Sequence, residues 1–289
     1  VAVNIAASGQ DVGNYDYAAP TATTANVAKK TITVAAQGVD KTYDGTTNVG
    51  VSLTANGVVT GDQVAFTGAG TLADKNAGQN KAVAVGVTGA GEDAGNYTYA
   101  STASTTANVA KKTLTVATQG VDKTYDGTTN VGVTLSTTGV VEGDHVAFTA
   151  AGTLADKNAG QNKAVAVNLA ASGADAGNYA YASTAATTAN VGAKTITVTL
   201  QGPVVKKADG TATATLTSGA YAVGGLVAGE TISVTQTAGQ FADALTGKNK
   251  AVTVSLGAGD YQAGSGVLLS NYQLVSATLT ANVGEIVAT

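Results

Sequence analysis

Residues 38–47 read Gly-Val-Asp-Lys-Thr-Tyr-Asp-Gly-Thr-Thr, and residues 120–129 repeat the same run without a change. The two runs are 82 residues apart, since 120 − 38 = 82. Outward from them, the similarity covers residues 31–112 and 113–194, in which about three-quarters of the positions are identical. Similarity at a fixed period is the sequence signature of a tandem repeat architecture.

The rest of the chain follows the same period. Residues 1–30 match only the second half of the repeat, and residues 195–289 form a divergent copy with insertions. We therefore predict a half repeat at 1–30, complete repeats at 31–112 and 113–194, and a divergent repeat at 195–289. Half a β-domain cannot bury its own apolar face, so we expect residues 1–30 to pair with a neighbouring copy, to be poorly ordered, or to be completed by another chain.

Strand patterns dominate each copy. Apolar and polar residues alternate, β-branched side chains are abundant, and Gly- and Asp-rich turns lie between the runs. The strands expected in the first complete repeat are residues 31–36, 47–54, 63–67, 81–88, 97–101 and 104–110. We predict an all-β chain of tandem small β-sandwich domains, Ig-like or β-grasp-like, and the pattern leaves a sandwich and a partly open roll both possible.

The connection between repeats is short. Only Ala110, Lys111 and Lys112 separate the closing strand of one copy from the opening strand of the next. A flexible Gly/Ser-rich linker and a stiff Pro-rich linker are both missing here. We therefore expect the domains to be arranged end to end as a rod with restricted swing.

The composition argues against several classes of function. All fifteen basic residues are Lys and the net charge is −4, so the chain lacks the basic clusters with Arg that favour nucleic-acid binding. The absence of Cys excludes disulfides and thiolate metal sites. No apolar run is long enough for a membrane-spanning helix, and we expect no membrane insertion. The alternating start at Val1 does not look like a signal peptide, so we expect the chain to be part of a longer protein.

The run Lys-Thr-Tyr-Asp-Gly-Thr-Thr, at residues 41–47 and 123–129, resembles the YDG-type repeats of large bacterial filamentous haemagglutinin-like adhesins. The resemblance covers residues 31–194 well and extends weakly to 195–289, where Ala208 replaces the Tyr. It implies a secreted protein of the bacterial cell surface or biofilm matrix whose repeats form a stalk. It also implies that binding activity often lies in other regions of such proteins.

The Tyr-Asp-Gly motif is best interpreted as structural. The Tyr would end a strand and pack, and Asp-Gly would form a tight turn with positive φ at the Gly. A ligand site at the motif is the alternative. The residues concerned are Tyr43, Asp44, Gly45, Tyr125, Asp126 and Gly127, with Asp209 and Gly210 in the divergent copy.

A second motif, Asn-Tyr, occurs in every copy. It comprises Asn14-Tyr15, Asn96-Tyr97, Asn178-Tyr179 and Asn271-Tyr272. In three copies an Asp lies three residues before the Asn, at Asp11, Asp93 and Asp175. We interpret the segment as an Asx-type turn that leads into a strand, and we expect no cofactor. The alternative is a weak Ca²⁺ site, which usually needs several loop carboxylates where each loop here offers one.

The residues that could support catalysis are not kept between copies. The single His, His145, corresponds to Gln63 and Thr231 in the other copies, which argues against a general base or a metal ligand. The loops Asp74-Lys75-Asn76 and 156–158 contain the residue types of Lys–Asn isopeptide crosslinks, but we expect ordinary polar loops because such crosslinks need a buried, aromatic-rich core. We find no Ser/His/Asp, Cys/His or phosphate-loop pattern and predict that the chain is not an enzyme.

From these patterns we expect a structural stalk or filament segment of a secreted bacterial surface or biofilm-matrix adhesin, acting in attachment or cohesion. An array of glycan- or calcium-dependent binding modules is the alternative. The expected partners are neighbouring copies or chains, through strand exchange or filament assembly by residues 1–30, with extracellular polysaccharide as a further candidate.

Overall fold

The chain is all-β, as the strand patterns predict. The computed structural model describes residues 1–18, 20 and 22–289, and in these residues it contains strands, loops and 3-10 helices but no α-helix. No helix in this part of the chain is long and apolar enough to cross a membrane. The 3-10 helices are Val12–Asn14, Ala94–Asn96, Ala176–Asn178, Ser218–Ala220, Ala258–Asp260 and Leu269–Asn271.

The chain divides into two compact units. One comprises Val1–Lys112 and Gly177–Tyr179, and the other comprises Thr113–Ala176 and Ala180–Thr289. The strands of residues 30–110 are β1 (Lys30–Thr31), β2 (Thr33–Gly38), β3 (Lys41–Thr42), β4 (Asn48–Val49), β5 (Val51–Asn56), β6 (Ala65–Leu72), β7 (Gly78–Ala90), β8 (Tyr97–Thr98) and β9 (Thr102–Ala110).

The first unit contains one five-stranded sheet and two small ones. The five-stranded sheet has the order β3-β9-β7-β6-β4, with β3 and β9 parallel and the other neighbours antiparallel. β2 and β5 form an antiparallel pair in which Thr33 lies opposite Asn56 and Gly38 opposite Val51. β1 and β8 form a short parallel pair.

The β2–β5 pair packs against the larger sheet and nearly closes it into a barrel. β2 lies beside β9, and β5 lies beside β6. Gly38 permits this approach, because a Cβ at that position would lie 2.4 Å from the carbonyl oxygen of Thr106. The core lies inside, where alternate residues of β7 (Val83, Val85 and Val87) are buried.

The predicted strands of this repeat are present with shifted ends. The predicted strand 47–54 is in fact two strands, because the chain passes at Gly50 from the five-stranded sheet to the two-stranded one. The two-residue strands β1 and β3 were not predicted, since two residues are too few to show an alternation.

The half repeat 1–30 does not form the strands of the corresponding half of a complete repeat. Before Lys30, the described residues (1–18, 20 and 22–29) form only the single turn Val12–Asn14. The side chains of Val1, Ile5 and Tyr15 are exposed. The described part of this segment therefore leaves these apolar side chains exposed.

The rest of the chain repeats the pattern twice. Its strands are β10 (Lys112–Thr113), β11 (Thr115–Gly120), β12 (Lys123–Thr124), β13 (Asn130–Val131), β14 (Val133–Thr138), β15 (Ala147–Leu154), β16 (Gly160–Ser172), β17 (Tyr179–Ala180), β18 (Thr184–Gly192), β19 (Lys194–Thr195), β20 (Thr197–Leu200), β21 (Val204–Lys207), β22 (Thr213–Thr215), β23 (Tyr221–Gly224), β24 (Ile232–Val234), β25 (Ala238–Phe241), β26 (Gly247–Ser255), β27 (Tyr261–Ala263), β28 (Tyr272–Gln273) and β29 (Thr278–Val287).

The second unit therefore contains two five-stranded sheets, with the orders β12-β18-β16-β15-β13 and β21-β29-β26-β25-β22. The antiparallel pairs β11–β14 and β20–β23 correspond to β2–β5. The divergent repeat adds the pair β24–β27. Most buried apolar residues of the two repeats form one connected hydrophobic cluster that extends from Tyr125 to Ile286.

Candidate functional site

The Asp-Gly turns have the geometry that the sequence predicts. The φ angles of Gly45, Gly127 and Gly210 are 81°, 79° and 78°, which confirms the positive φ expected at the Gly. Asp126 Oδ1 accepts the Thr128 N–H at 2.9 Å and lies 2.6 Å from Lys123 Nζ. Burial opposes the ionisation of Asp126, but these hydrogen bonds outweigh it and lower its pKa to about 2.

Two of the three Asp residues considered as weak calcium ligands hold a loop closed by accepting a backbone N–H. The carboxylate of Asp93 accepts the Gln63 N–H at 2.8 Å, and that of Asp175 accepts the His145 N–H at 2.9 Å. Asp11 is exposed and precedes the turn Val12–Asn14. Within the described residues, no group of three or more His, Cys, Asp or Glu side chains could hold a metal ion.

The Tyr of the Tyr-Asp-Gly motif takes part in a contact between repeats. Tyr125 follows β12 in the repeat 113–194, and Tyr272 begins β28 in the repeat 195–289. Their rings pack edge to face, with centroids 5.5 Å apart and an interplanar angle of 79°. Both rings are buried. The motif thus combines a local turn, at Asp126-Gly127, with an aromatic contact to the next repeat.

Glu230 is the centre of this contact. Its Oε1 accepts the Tyr125 hydroxyl at 2.6 Å and Lys157 Nζ at 2.7 Å, and its Oε2 accepts the Tyr272 hydroxyl at 2.7 Å. The Tyr272 hydroxyl oxygen in turn accepts the Val227 N–H at 3.0 Å. Each polar group therefore has a partner, as a largely buried network requires.

The network changes the proton affinities of its members. Burial alone would raise the pKa of Glu230, but the hydrogen bonds from Lys157, Tyr125 and Tyr272 outweigh it and lower that pKa. The hydrogen bond with Glu230 raises the pKa of Lys157. Burial, together with Glu230, raises the pKa of Tyr272 to about 12. Near neutral pH the contact therefore contains a carboxylate, an ammonium group and two neutral phenols.

Asn271 makes the second polar contact between these repeats. Its Oδ1 accepts the Ala159 N–H at 2.8 Å, and its Nδ2 donates to Asn158 Oδ1 at 3.0 Å. The residue is only 1% exposed. Among the described residues, no buried side-chain nitrogen or oxygen lacks a hydrogen-bond partner.

The two repeats thus contribute two different surfaces. We call Tyr125, Lys157 and Asn158, which lie in the Tyr-Asp-Gly turn and the β15–β16 loop, the donor face. We call Glu230, Asn271 and Tyr272 of the next repeat the acceptor face. Glu230 lies in a loop, and Asn271 and Tyr272 lie where the 3-10 helix Leu269–Asn271 meets β28. Together they form the joint of the second unit.

The first unit contains the same contacts for one Asn-Tyr motif. Asn178 Oδ1 accepts the Ala77 N–H at 2.9 Å, and its Nδ2 donates to Asn76 Oδ1 at 3.2 Å. The rings of Tyr43 and Tyr179 pack edge to face at 5.4 Å and 77°. The other two Asn-Tyr motifs differ: Asn96 is exposed, and Asn14 and Tyr15 are both exposed.

Some of these residues can be recognised from the sequence and others cannot. The Tyr-Asp-Gly and Asn-Tyr motifs are visible as repeated motifs, but their sequence does not indicate that a Tyr of one meets a Tyr of the other. Glu230 belongs to no predicted motif, and Lys157 and Asn158 lie in a segment predicted to be an ordinary polar loop. One available signal was their coordinated loss, since the divergent repeat has Ala208, Ala244 and Leu245 where the preceding copy has Tyr, Lys and Asn.

Comparison with known proteins agrees with the repeat pattern. The family model of the YDG domain matches residues 28–107, 110–189 and 192–281, three times in succession. No curated protein matches the chain. Because these matches cover most of the 289 residues, the chain belongs to the YDG domain family.

Proposed function

We propose that this chain is a non-catalytic stalk segment of a secreted bacterial surface or biofilm-matrix adhesin. In this proposal its repeats are small sandwich-like domains placed end to end as a rod that serves in attachment or cohesion. The observation that carries the proposal is the joint of the second unit, where Glu230 receives three hydrogen bonds. A stalk needs tight contacts of this kind between its domains, because domains that share only a small interface move relative to one another.

Two further features of the joint favour stiffness. The cores of the repeats 113–194 and 195–289 are connected in one hydrophobic cluster, so bending would expose apolar surface to water. Asn271 also binds a backbone N–H of the preceding repeat, which fixes the orientation of the two repeats as well as their distance.

The absence of catalysis is part of the proposal. The side chains best suited to acid-base chemistry form hydrogen bonds with one another. They are Glu230, Lys157, Tyr125 and Tyr272. His145 is replaced by Gln63 and Thr231 in the other copies, although a catalytic group would be needed in each repeat that shares the role.

Residues 1–30 support a proposal about partners. In the described part of this segment no strand precedes Lys30, and Ile5 and Tyr15 are exposed. We propose that the segment joins a neighbouring copy or chain by strand exchange. Chains with near-identical repeats can exchange equivalent strands at low cost.

Small-angle X-ray scattering on the full chain tests the rod. We expect the distance distribution of an elongated, stiff particle, and a more flexible profile for Glu230→Ala. Glu285→Ala is the matched control, because Glu285 pairs with the exposed Lys248 at 3.4 Å and lies outside the joint. A compact particle, or identical profiles for all three proteins, would contradict the rod.

Isothermal titration distinguishes a stalk from a binding module. We expect no heat on addition of Ca²⁺. Calcium heat that disappears in Asp93→Asn and Asp175→Asn would favour a calcium-dependent module instead. A titration with exopolysaccharide tests the proposed polysaccharide partner in the same way.

The location is tested on cells. Antibodies against the chain should label intact cells or matrix of the bacterium that encodes it. Labelling that requires permeabilised cells would overturn the surface location.

A further inference from the structure

The repeat 31–112 contains an acceptor face of its own. Asp62, Asn96 and Tyr97 stand where the divergent repeat has Glu230, Asn271 and Tyr272. The Tyr97 hydroxyl donates to Asp62 Oδ2 at 2.5 Å and accepts the Val59 N–H at 2.9 Å. The Tyr97 ring is buried. This acceptor face is therefore already assembled by its own repeat.

What distinguishes this face is the environment of its Asn. Asn178 and Asn271 are 4% and 1% exposed, and each accepts a backbone N–H from the loop of a preceding repeat. Asn96 is exposed, and among the described residues no hydrogen bond reaches its side chain. Val59, whose N–H donates to the Tyr97 hydroxyl, is 46% exposed.

The carboxylate of Asp62 also accepts fewer hydrogen bonds than that of Glu230. Glu230 accepts two tyrosine hydroxyls and one ammonium group. In the described residues Asp62 accepts only the Tyr97 hydroxyl. A second hydroxyl and an ammonium group are the missing partners, and a donor face supplies both.

We propose that Asp62, Asn96 and Tyr97 form a binding site for the donor face of another complete YDG repeat. The partner is defined by its chemistry: a second hydroxyl and an ammonium group for Asp62, and a loop N–H for Asn96. The site is a property of the repeat and does not depend on where the protein works.

The divergent repeat provides the opposite case. Its positions equivalent to Tyr125, Lys157 and Asn158 are Ala208, Ala244 and Leu245, so it has an acceptor face but no donor face. The joint is therefore directional. A second copy of this chain does not fill the site at Asp62 through its 195–289 repeat, which is why the proposed occupant is a different YDG repeat.

The first test uses the chain without an inserted repeat. Asn96→Ala should leave the melting temperature unchanged, because the amide has no partner to lose, whereas Asn271→Ala should lower it. Both substitutions remove the same local turn residue, so the difference between them measures the contact with the preceding repeat. An equal loss in the two variants would show that Asn96 has a purely local role and would overturn the proposal.

The second test adds the occupant. A copy of residues 113–194 is inserted between Lys30 and Thr31 of the full chain, so that its donor face precedes the site. In this protein Asn96→Ala should lower the melting temperature as Asn271→Ala does. Hydrogen exchange at the inserted counterpart of the Ala159 N–H should be as slow as at Ala159 and should quicken in Asn96→Ala.

The matched control is an inserted copy with Tyr125→Ala, Lys157→Ala and Asn158→Leu, the residues that the divergent repeat has. With this copy Asn96→Ala should again have no effect. If Asn96→Ala acts alike in both inserted proteins, the site does not recognise the donor face and the proposal is wrong. The first test stands independently, since it does not alter the repeats.

Discussion

At the scale of single residues, the hydrogen bonds of Glu230 explain why this carboxylate is stable between two buried tyrosines. A carboxylate offers several acceptor positions, and here two hydroxyls and one ammonium group occupy them. The lowered pKa of Glu230 means that the folded protein favours the charged form. By linkage, its contribution to stability is present above its ordinary pKa and is lost as the pH falls through the lowered value.

Replacement of Glu230 by Gln should lower the free energy of unfolding by about 2 kcal/mol, because the charge-assisted bond to Lys157 is lost and an amide NH₂ faces hydroxyl donors. Urea denaturation at neutral pH measures this. Glu285→Gln serves as the control, and the pair of Glu285 with the exposed Lys248, at 3.4 Å, should contribute under about 0.5 kcal/mol. Equal effects of the two substitutions would refute a special role for Glu230.

At the scale of structural elements, two Asp-Gly turns allow the cost of backbone strain to be distinguished from the cost of tight packing. Gly127 and Gly210 have nearly the same φ, 79° and 78°. A Cβ at Gly127 would lie 2.8 Å from Val227 Cγ1, while nothing lies within 4 Å of a Cβ at Gly210. The two glycines therefore form a matched pair that differs only in the neighbouring repeat.

Gly210→Ala should cost about 1–2 kcal/mol, the usual penalty of a left-handed backbone with a Cβ. Gly127→Ala should cost at least about 1 kcal/mol more, because Val227 must move. Chemical denaturation of both variants gives the difference. An equal cost would mean that Val227 adjusts freely and that the turn does not contact the next repeat tightly.

The same turns predict a response to acid. Hydrogen bonds from Lys206 and Thr211 lower the pKa of Asp209 to about 2, and Asp126 reaches about 2 through Lys123 and Thr128 against the effect of burial. Because these folded-state values lie below the ordinary 3.8, the stabilisation is present above that pH and is lost as the pH falls to about 2.

Asp209→Asn tests this response. The amide keeps an oxygen that can accept the Thr211 N–H, which Asp209 accepts at 2.9 Å, but it does not titrate. We expect the wild-type chain to lose more stability than the variant between pH 4 and 2, as followed by urea denaturation at each pH. Parallel curves for the two proteins would show that the Lys206–Asp209 pair does not contribute to acid sensitivity.

The strands show what the sequence predicts at this scale. Val83, Val85 and Val87 alternate with exposed residues, and that alternation is enough to predict β7. It is not enough to predict the passage between sheets at Gly50, which depends on the separate partners of β4 and β5. Local pattern determines whether a segment is extended, and tertiary pairing determines which sheet it joins.

At the scale of the whole molecule, the joint cannot be predicted from the sequence of a single repeat. Tyr125 and Glu230 are 105 positions apart and belong to different repeats, so no periodicity within a repeat connects them. Comparison of copies instead made the Tyr look dispensable, since Ala208 replaces it. The replacement is one of three that occur together: Ala244 and Leu245 accompany it, so the whole donor face is absent from that repeat.

The connected core leads to a prediction about cooperativity in the second unit. Tyr125 belongs to the hydrophobic cluster that extends through both of its repeats. Tyr125→Ala removes a buried ring and should cost about 3–4 kcal/mol. Because the cluster is shared, we expect the loss to appear in both repeats, and hydrogen exchange should quicken in β16 and in β26 together.

Tyr125→Phe is the control for that experiment, since it keeps the ring packed against Tyr272 and loses only the hydroxyl bond to Glu230. It should cost about 1–1.5 kcal/mol and act in the same direction on both strands. If Tyr125→Ala quickens exchange in β16 and leaves β26 unchanged, the two repeats unfold separately. The joint would then orient the repeats without sharing their stability, and a stalk built from such joints would resist bending while each domain still opened on its own.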